Sequence, residues 1–208
     1  MTTHVIADTT ALTTRSLRHI LRSPDTIITT AVMPIGILLL FVFVLGGAID
    51  TGSQSYIDYL LPGILLITIA SGVSYTAYRL FLDLQGGMFE RFQSMPIARS
   101  SALWAHVLTS LAANLVSLAI VIGVAFLLGF RSGAGVLAWL AVVGILLLFT
   151  LSLTWLAVFA GLAAKSADGA IAFSYPLIFL PFISSAFVPT DTMPAPVAWF
   201  AENQPVTP

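Results

Sequence analysis

The sequence predicts an all-α fold of the polytopic membrane type, with five spanning helices in a single unit of residues 1–208 and a helix in the membrane interface ahead of them. Three observations carry that reading. First, Thr26–Ile49, Tyr59–Tyr78, Ser100–Phe130, Ser132–Ala164 and Gly169–Thr190 hold no formal charge. A helix rising about 1.5 Å per residue needs about 20 apolar residues to cross a hydrocarbon core about 30 Å thick, so each stretch can span. Second, charged residues are 8% of the chain, where a soluble domain carries roughly 25%, and the mean hydropathy is +1.01. A soluble helical protein would need polar faces on most helices, and these segments are apolar all round. Third, the basic residues sort by side. Arg15, Arg18, Arg22, Arg79, Arg91, Arg99 and Lys165 fall on alternate connections, and Arg131 stands alone on the others. Lys and Arg are retained on the cytoplasmic side, which places the N-terminus inside.

Residues 8–23 open the chain with Leu17, Ile20 and Leu21 on one helical face and Arg15, Arg18 and Arg22 on the other. That pattern suits a helix lying in the interface with its cations towards anionic head groups, the alternative being a solvated basic flank. The same charges, with Asp8 and Asp25, leave no continuous apolar region for a cleavable signal peptide. Ser23-Pro24-Asp25 reads as a helix start: a capping hydroxyl, proline at the first helical position and an acid near the positive end of the dipole.

The first span, 26–49, contains Pro34, which removes a backbone donor and predicts a kink, and ends at Gly46-Gly47. A short turn leads to the second, 58–79, entered through Tyr56-Ile57-Asp58-Tyr59, aromatic rings suited to the outer interface, with Pro62 in its first turn. The third and fourth, 101–129 and 134–163, sit in stretches longer than a bilayer needs, so they tilt or protrude into the cytoplasm. The fifth is 169–188. Residues 189–208 hold Pro189, Pro194, Pro196, Pro205 and Pro208 beside Trp199 and Phe200, too broken to span and too apolar for an ordinary loop. A re-entrant or interfacial element on the outer side fits.

The most informative polar segment is the connection 80–100. Gly86-Gly87 breaks the incoming helix, Met88 to Ser94, with Phe89, Glu90, Arg91 and Phe92 between them, can form a short amphipathic helix exposing Met, Phe and Glu, and Pro96 stops it. The paired aromatics favour a docking surface over a solvated turn. Within the spans, Asn114 must face another helix or a translocation path, since an amide facing lipid would be unsatisfied; helix glue and substrate contact both remain open. His106 reads as an interfacial residue. Ala157-x-x-x-Gly161 and Ala160-x-x-x-Ala164 read as close helix packing.

Several function classes are disfavoured. The chain has no cysteine, hence no disulfide, thiolate metal site or cysteine nucleophile. No His, Asp or Glu cluster marks a metal or catalytic centre, and nothing points to nucleic acid. The only lysine, Lys165, follows Ala163-Ala164 without the glycines of a phosphate loop, so ATP hydrolysis would fall to a partner. A multi-span membrane enzyme would need clustered acid–base residues at one depth, and an ion-coupled secondary transporter would need acids at the midplane, whereas Asp50, Asp58 and Asp168 map to span ends.

The chain resembles the membrane subunits of type-2 ABC exporters, in particular the daunorubicin-resistance permease group of actinobacteria. The resemblance runs through Arg22-Ser23-Pro24-Asp25, Tyr56-Ile57-Asp58-Tyr59-Leu60-Leu61-Pro62-Gly63, and Gly87 through Glu90 to Met95-Pro96 and Arg99. It continues in Phe187-Val188-Pro189-Thr190-Asp191-Thr192-Met193-Pro194 and Asn203-Gln204-Pro205-Val206-Thr207-Pro208. Met88 stands where that family commonly has Thr, and His106 where Lys or Arg is common. The resemblance implies a permease of the bacterial plasma membrane that pairs with a second permease copy, identical or not. It also implies two separate ATPase subunits, carrying ATP and Mg, and expulsion of a hydrophobic drug, lipid or glycolipid. It assigns the ATPase contact to Gly87, Met88, Phe89, Glu90, Arg91, Met95 and Pro96, and implies a sixth span beyond Pro208.

Overall fold

A computed structural model describes residues 10, 13–14, 24–46, 56–87, 99–184, 186–187 and 193–203. Among these the regular structure is helical, with no strand. Lipid demands this, because every backbone N–H and C=O must find its partner within its own segment. Thr10, Thr13 and Thr14 are helical, and the remainder of 8–23 lies outside the described residues.

Helix α1, Pro24–Leu40, starts at the proline, whose missing N–H has no partner to lose there. It continues through buried Pro34 and gives way at Phe41–Leu45 to a π-helical turn closed by Gly46. A Cβ on Gly46 would collide with the Val42 carbonyl and lie 3.4 Å from the Tyr56 ring, so glycine lets this end close on the next helix.

Helices α2, Tyr56–Gln85, α3, Arg99–Leu127, and α4, Val136–Ala163, have 30, 29 and 28 residues. At 1.5 Å per residue they extend about 42–45 Å, more than a hydrocarbon core. All three are long and apolar enough to cross a membrane, while the first and fifth expected spans form shorter apolar helices, Thr30–Val44 and Ala167–Ile183.

The centre of the molecule is α2. Of its most apolar window 72% is buried, against 28% for α3 and 6% for α4. Ile64, Ile67, Val73 and Leu80 have no exposed surface. Leu38 of α1, Leu118 and Val121 of α3 and Ala157 of α4 share its core. The α4 backbone approaches closely at Gly161, where a Cβ would stand 2.9 Å from the Ala77 carbonyl oxygen. Buried hydroxyls are satisfied along their own helices: Thr68, Thr150 and Thr154 each donate to the carbonyl four residues back at 2.7 Å.

The stretch expected as one span over 169–188 is divided. Helix α5, Ala167–Ala172, is capped by Ser166, whose hydroxyl accepts from the Gly169 amide at 3.1 Å. Helix α6, Ser174–Phe179, follows after Phe173, and a 3-10 turn spans Leu180–Ile183. The two prolines account for the divisions. Pro176 has no N–H for the Ala172 carbonyl, and Pro181 none for Leu177, so the α-helical ladder fails at both places. Ser184 then turns the chain inward, its hydroxyl donating to the Pro181 carbonyl at 2.6 Å and accepting from the Ala186 amide at 3.1 Å. Phe187 is thereby buried, stacked on Phe182 with ring centroids 4.7 Å apart and 5.0 Å from the Phe41 ring. Gly63 makes the space, since a Cβ there would lie 2.8 Å from the Phe187 ring. Within 189–208, helix α7, Ala195–Asn203, opens on the Pro194 carbonyl and exposes Trp199 and Phe200.

Candidate functional site

The polar connection between α2 and α3 is anchored on both sides by described residues. At its start, the Gly86 amide donates to the Leu82 carbonyl at 2.8 Å and the Gly87 amide to Leu84 at 3.2 Å. Gly87 has φ of 68°, a left-handed conformation that favours glycine, and this ends the helix. Chain direction is thus reset where Gly86-Gly87 predicts it. Of the proposed contact residues, Met88, Phe89, Glu90, Arg91, Met95 and Pro96 lie outside the described residues, as do Arg15, Arg18 and Arg22. The connection returns at Arg99, the first residue of α3.

The two legs of this connection are tied together. His106 Nε2 of α3 lies 3.1 Å from Asp83 Oδ2 of α2, both side chains partly accessible at 18% and 22%. The contact is a hydrogen bond with neutral imidazole and an ion pair once the ring is protonated. Further along the same two helices, Thr76 Oγ1 and Ser110 Oγ are 2.7 Å apart, and Thr76 also donates to the Gly72 carbonyl at 2.9 Å. Another turn on, the Asn114 carboxamide occupies the space a Cβ at Gly72 would fill. The row ends at Ser117, 2.9 Å from the Thr30 hydroxyl of α1. His106, Ser110, Asn114 and Ser117 are spaced four, four and three residues apart, so one stripe of α3 carries the whole row.

Asn114 is 2% exposed. Its amide nitrogen donates to the Ser110 carbonyl at 3.1 Å, while its side-chain oxygen is buried without a hydrogen-bond partner. Asp83 and His106 were not paired by sequence reasoning, which placed His106 at the interface alone. The available signal was that each stands within two turns of the 86–98 connection, one before it and one after. Among the described residues no three His, Asp or Glu side chains converge on a metal-sized site.

At the far ends of these helices, Arg131 has a structural task. Its guanidinium donates to the Phe126 and Phe130 carbonyls at 3.2 and 3.0 Å, a second donor for Phe126, whose carbonyl also accepts from the Gly129 amide, and sets a cation at the negative dipole end of α3. Phe126, Phe130 and Trp139 pack beside it as an aromatic group, centroids 5.3–6.4 Å apart. Near the start of α2, the Tyr56 hydroxyl and Asp58 Oδ1 are buried without a partner.

Comparison with known proteins gives this geometry a family. The chain is 28% identical over 188 residues to a daunorubicin resistance ABC transporter permease protein of Streptomyces coeruleorubidus, covering 88% of this chain and 65% of that protein. It is 25% identical over 205 residues to a probable doxorubicin resistance ABC transporter permease protein of Mycobacterium tuberculosis, covering 97% of this chain and 74% of that one. The chain therefore spans about two thirds to three quarters of the length of these relatives. No solved structure matches it. The ABC-2 type transporter family model matches residues 7–208, nearly the whole chain, and the protein accordingly belongs to the ABC-2 type transporter family.

Proposed function

We propose that this chain is the permease subunit of an ATP-driven exporter of the bacterial plasma membrane, with its N-terminus in the cytoplasm. It moves a hydrophobic small molecule outward, a drug, lipid or glycolipid, and takes its energy from separate ATPase subunits that carry ATP and Mg. A second permease copy completes the path. The ATPase engages the 80–100 connection through Gly87, Met88, Phe89, Glu90, Arg91, Met95 and Pro96. The observation that carries this reading is family membership over residues 7–208 in a chain that lacks a phosphate loop. Orientation rests on the basic residues, seven of the eight on one side. The resistance named for both relatives supports a greasy, drug-like substrate class.

An ion-coupled carrier would hold acids at mid-membrane. Among the described residues Asp58 stands in the first turn of α2, Asp83 in its last turns and Asp168 in the first turn of α5. That placement favours an external motor. The test is Glu90→Ala and Phe89→Ala in the full chain expressed with its ATPase. Each is expected to release the ATPase on purification, or to leave it bound and hydrolysing without export, while membrane insertion is unchanged. Wild-type export with the ATPase still bound in both variants would refute the assignment.

A further inference from the structure

The polar stripe of α3 against α2 has a mechanical consequence, which rests on the reading of the 80–100 connection as the ATPase contact. We propose that α2 and α3 move as one lever, held in register by the Asp83–His106 pair and by the Thr76–Ser110 and Gly72–Asn114 contacts. Asp83 and His106 act in it as positioning residues that pass any displacement of the 86–98 connection into the membrane together on both legs.

Geometry distinguishes this interface from its neighbour. Between α2 and α3, three successive levels hold directional or interlocking contacts: 3.1 Å at Asp83–His106, 2.7 Å at Thr76–Ser110, and the Asn114 carboxamide seated on Gly72. Sliding one helix along the other by a turn would separate the first two pairs and drive Asn114 off its only gap. Between α2 and α4, the close approach is of small residues, Gly161 on the Ala77 carbonyl, and the α4 hydroxyls Thr150 and Thr154 are spent on their own helix. Close packing of small residues is compatible with the small sliding of helices through which domains close. The pair at 83 and 106 also sits where force would enter. Asp83 lies three residues before Gly86 and His106 seven after Arg99, so it bridges the two legs at the base of the connection. Without that bridge, a push on one leg would bend it relative to the other instead of moving both.

The test measures distances in the complete complex of the chain with its ATPase. This sequence holds no cysteine, so introduced cysteines are the labelling sites it offers, and the ATPase is supplied with its own cysteines replaced. Exposed Leu82 and Leu108 report on α2 against α3, and Leu82 with exposed Leu162 on α2 against α4. On trapping Mg-ATP with vanadate, the Leu82–Leu108 distance is expected to stay fixed while Leu82–Leu162 shifts. Equal shifts in both would overturn the lever. No shift in either, with the ATPase still bound, would overturn the reading of the connection as the coupling element and the lever with it.

The positioning role has its own readout. With His106→Leu, the Leu82–Leu108 distance is expected to become nucleotide-dependent, and the export obtained per ATP hydrolysed to fall about fivefold or more, the scale of ordinary coupling between sites. His106→Lys, which places another hydrogen-bond donor opposite Asp83, is expected to restore both. If His106→Leu leaves the distance fixed, the pair does not hold the lever.

Discussion

Helices α2 and α4 are nearly equal in length, yet their places in the molecule invert what a water-soluble protein would do. The helix at the centre, α2, carries Asp58, Arg79 and Asp83 and a row of hydroxyls, whereas α4 has no charged residue and leaves nearly all of its most apolar window uncovered by this chain. Leu137, Leu140, Ile145, Leu148 and Phe159 of α4 are all exposed on this chain. Lipid tails are as apolar as leucine, so burying leucine among helices gains little, while hydroxyls, amides and glycines gain by facing protein. Polar groups and small residues therefore chose the interior here, and hydropathy alone chose the membrane.

The largest expected effect compares two phenylalanines. Phe187→Ala, at 2% exposure beneath Phe41 and Phe182, is expected to cost about 3 kcal/mol by leaving a cavity, whereas Phe159→Ala on α4, at 71%, should stay within about 0.5 kcal/mol. Reversible unfolding from mixed micelles reads both, and equal losses would break the distinction. Next is Leu148→Arg on the outer face of α4, expected to cost about 2.5–3.5 kcal/mol in membrane insertion, as measured by translocon partition of the isolated segment. Gly72→Ala follows. Its methyl must displace the Asn114 carboxamide, for a loss of about 1–3 kcal/mol that Asn114→Ala in the same chain should largely remove. A Gly72→Ala protein as stable as wild type would show that α2 and α3 are not packed as described. The smallest is the Thr76–Ser110 bond, for which a double-mutant cycle with Thr76→Val and Ser110→Ala should give about 0.6 kcal/mol.

Much of this architecture was legible. Long charge-free stretches mark α2, α3 and α4, because hydrophobic length is a property of the segment itself. Gly86-Gly87 marks the end of α2 for the same reason, since a left-handed residue is a local demand. The division of the 169–188 stretch was also present in the sequence, at Pro176 and Pro181, but its apolarity outweighed its prolines in a reading based on length. The π-helical turn at Phe41–Leu45 left no such mark. Its first residue, Phe41, packs against Phe182 and Phe187, residues about 140 positions away.

The site divides similarly. Asn114 was recognisable as a residue that must face protein, because an amide in lipid is costly wherever it sits. That its neighbour would be Gly72, and that His106 would meet Asp83, depended on the register of two helices across a connection of fixed ends and unspecified path. The lone basic residue on the less basic side, Arg131, is explained only by the carbonyls it caps.

By itself the sequence determined that the chain enters a membrane and roughly where the long helices α2, α3 and α4 start and stop. A bilayer acts on those features segment by segment, and no neighbour is needed to decide them. Tertiary structure alone decided which helix lies inside, which polar groups meet and which phenylalanines are covered. In lipid those choices follow from close packing and hydrogen-bond geometry between helices, and neither is encoded in the hydropathy of one helix taken alone.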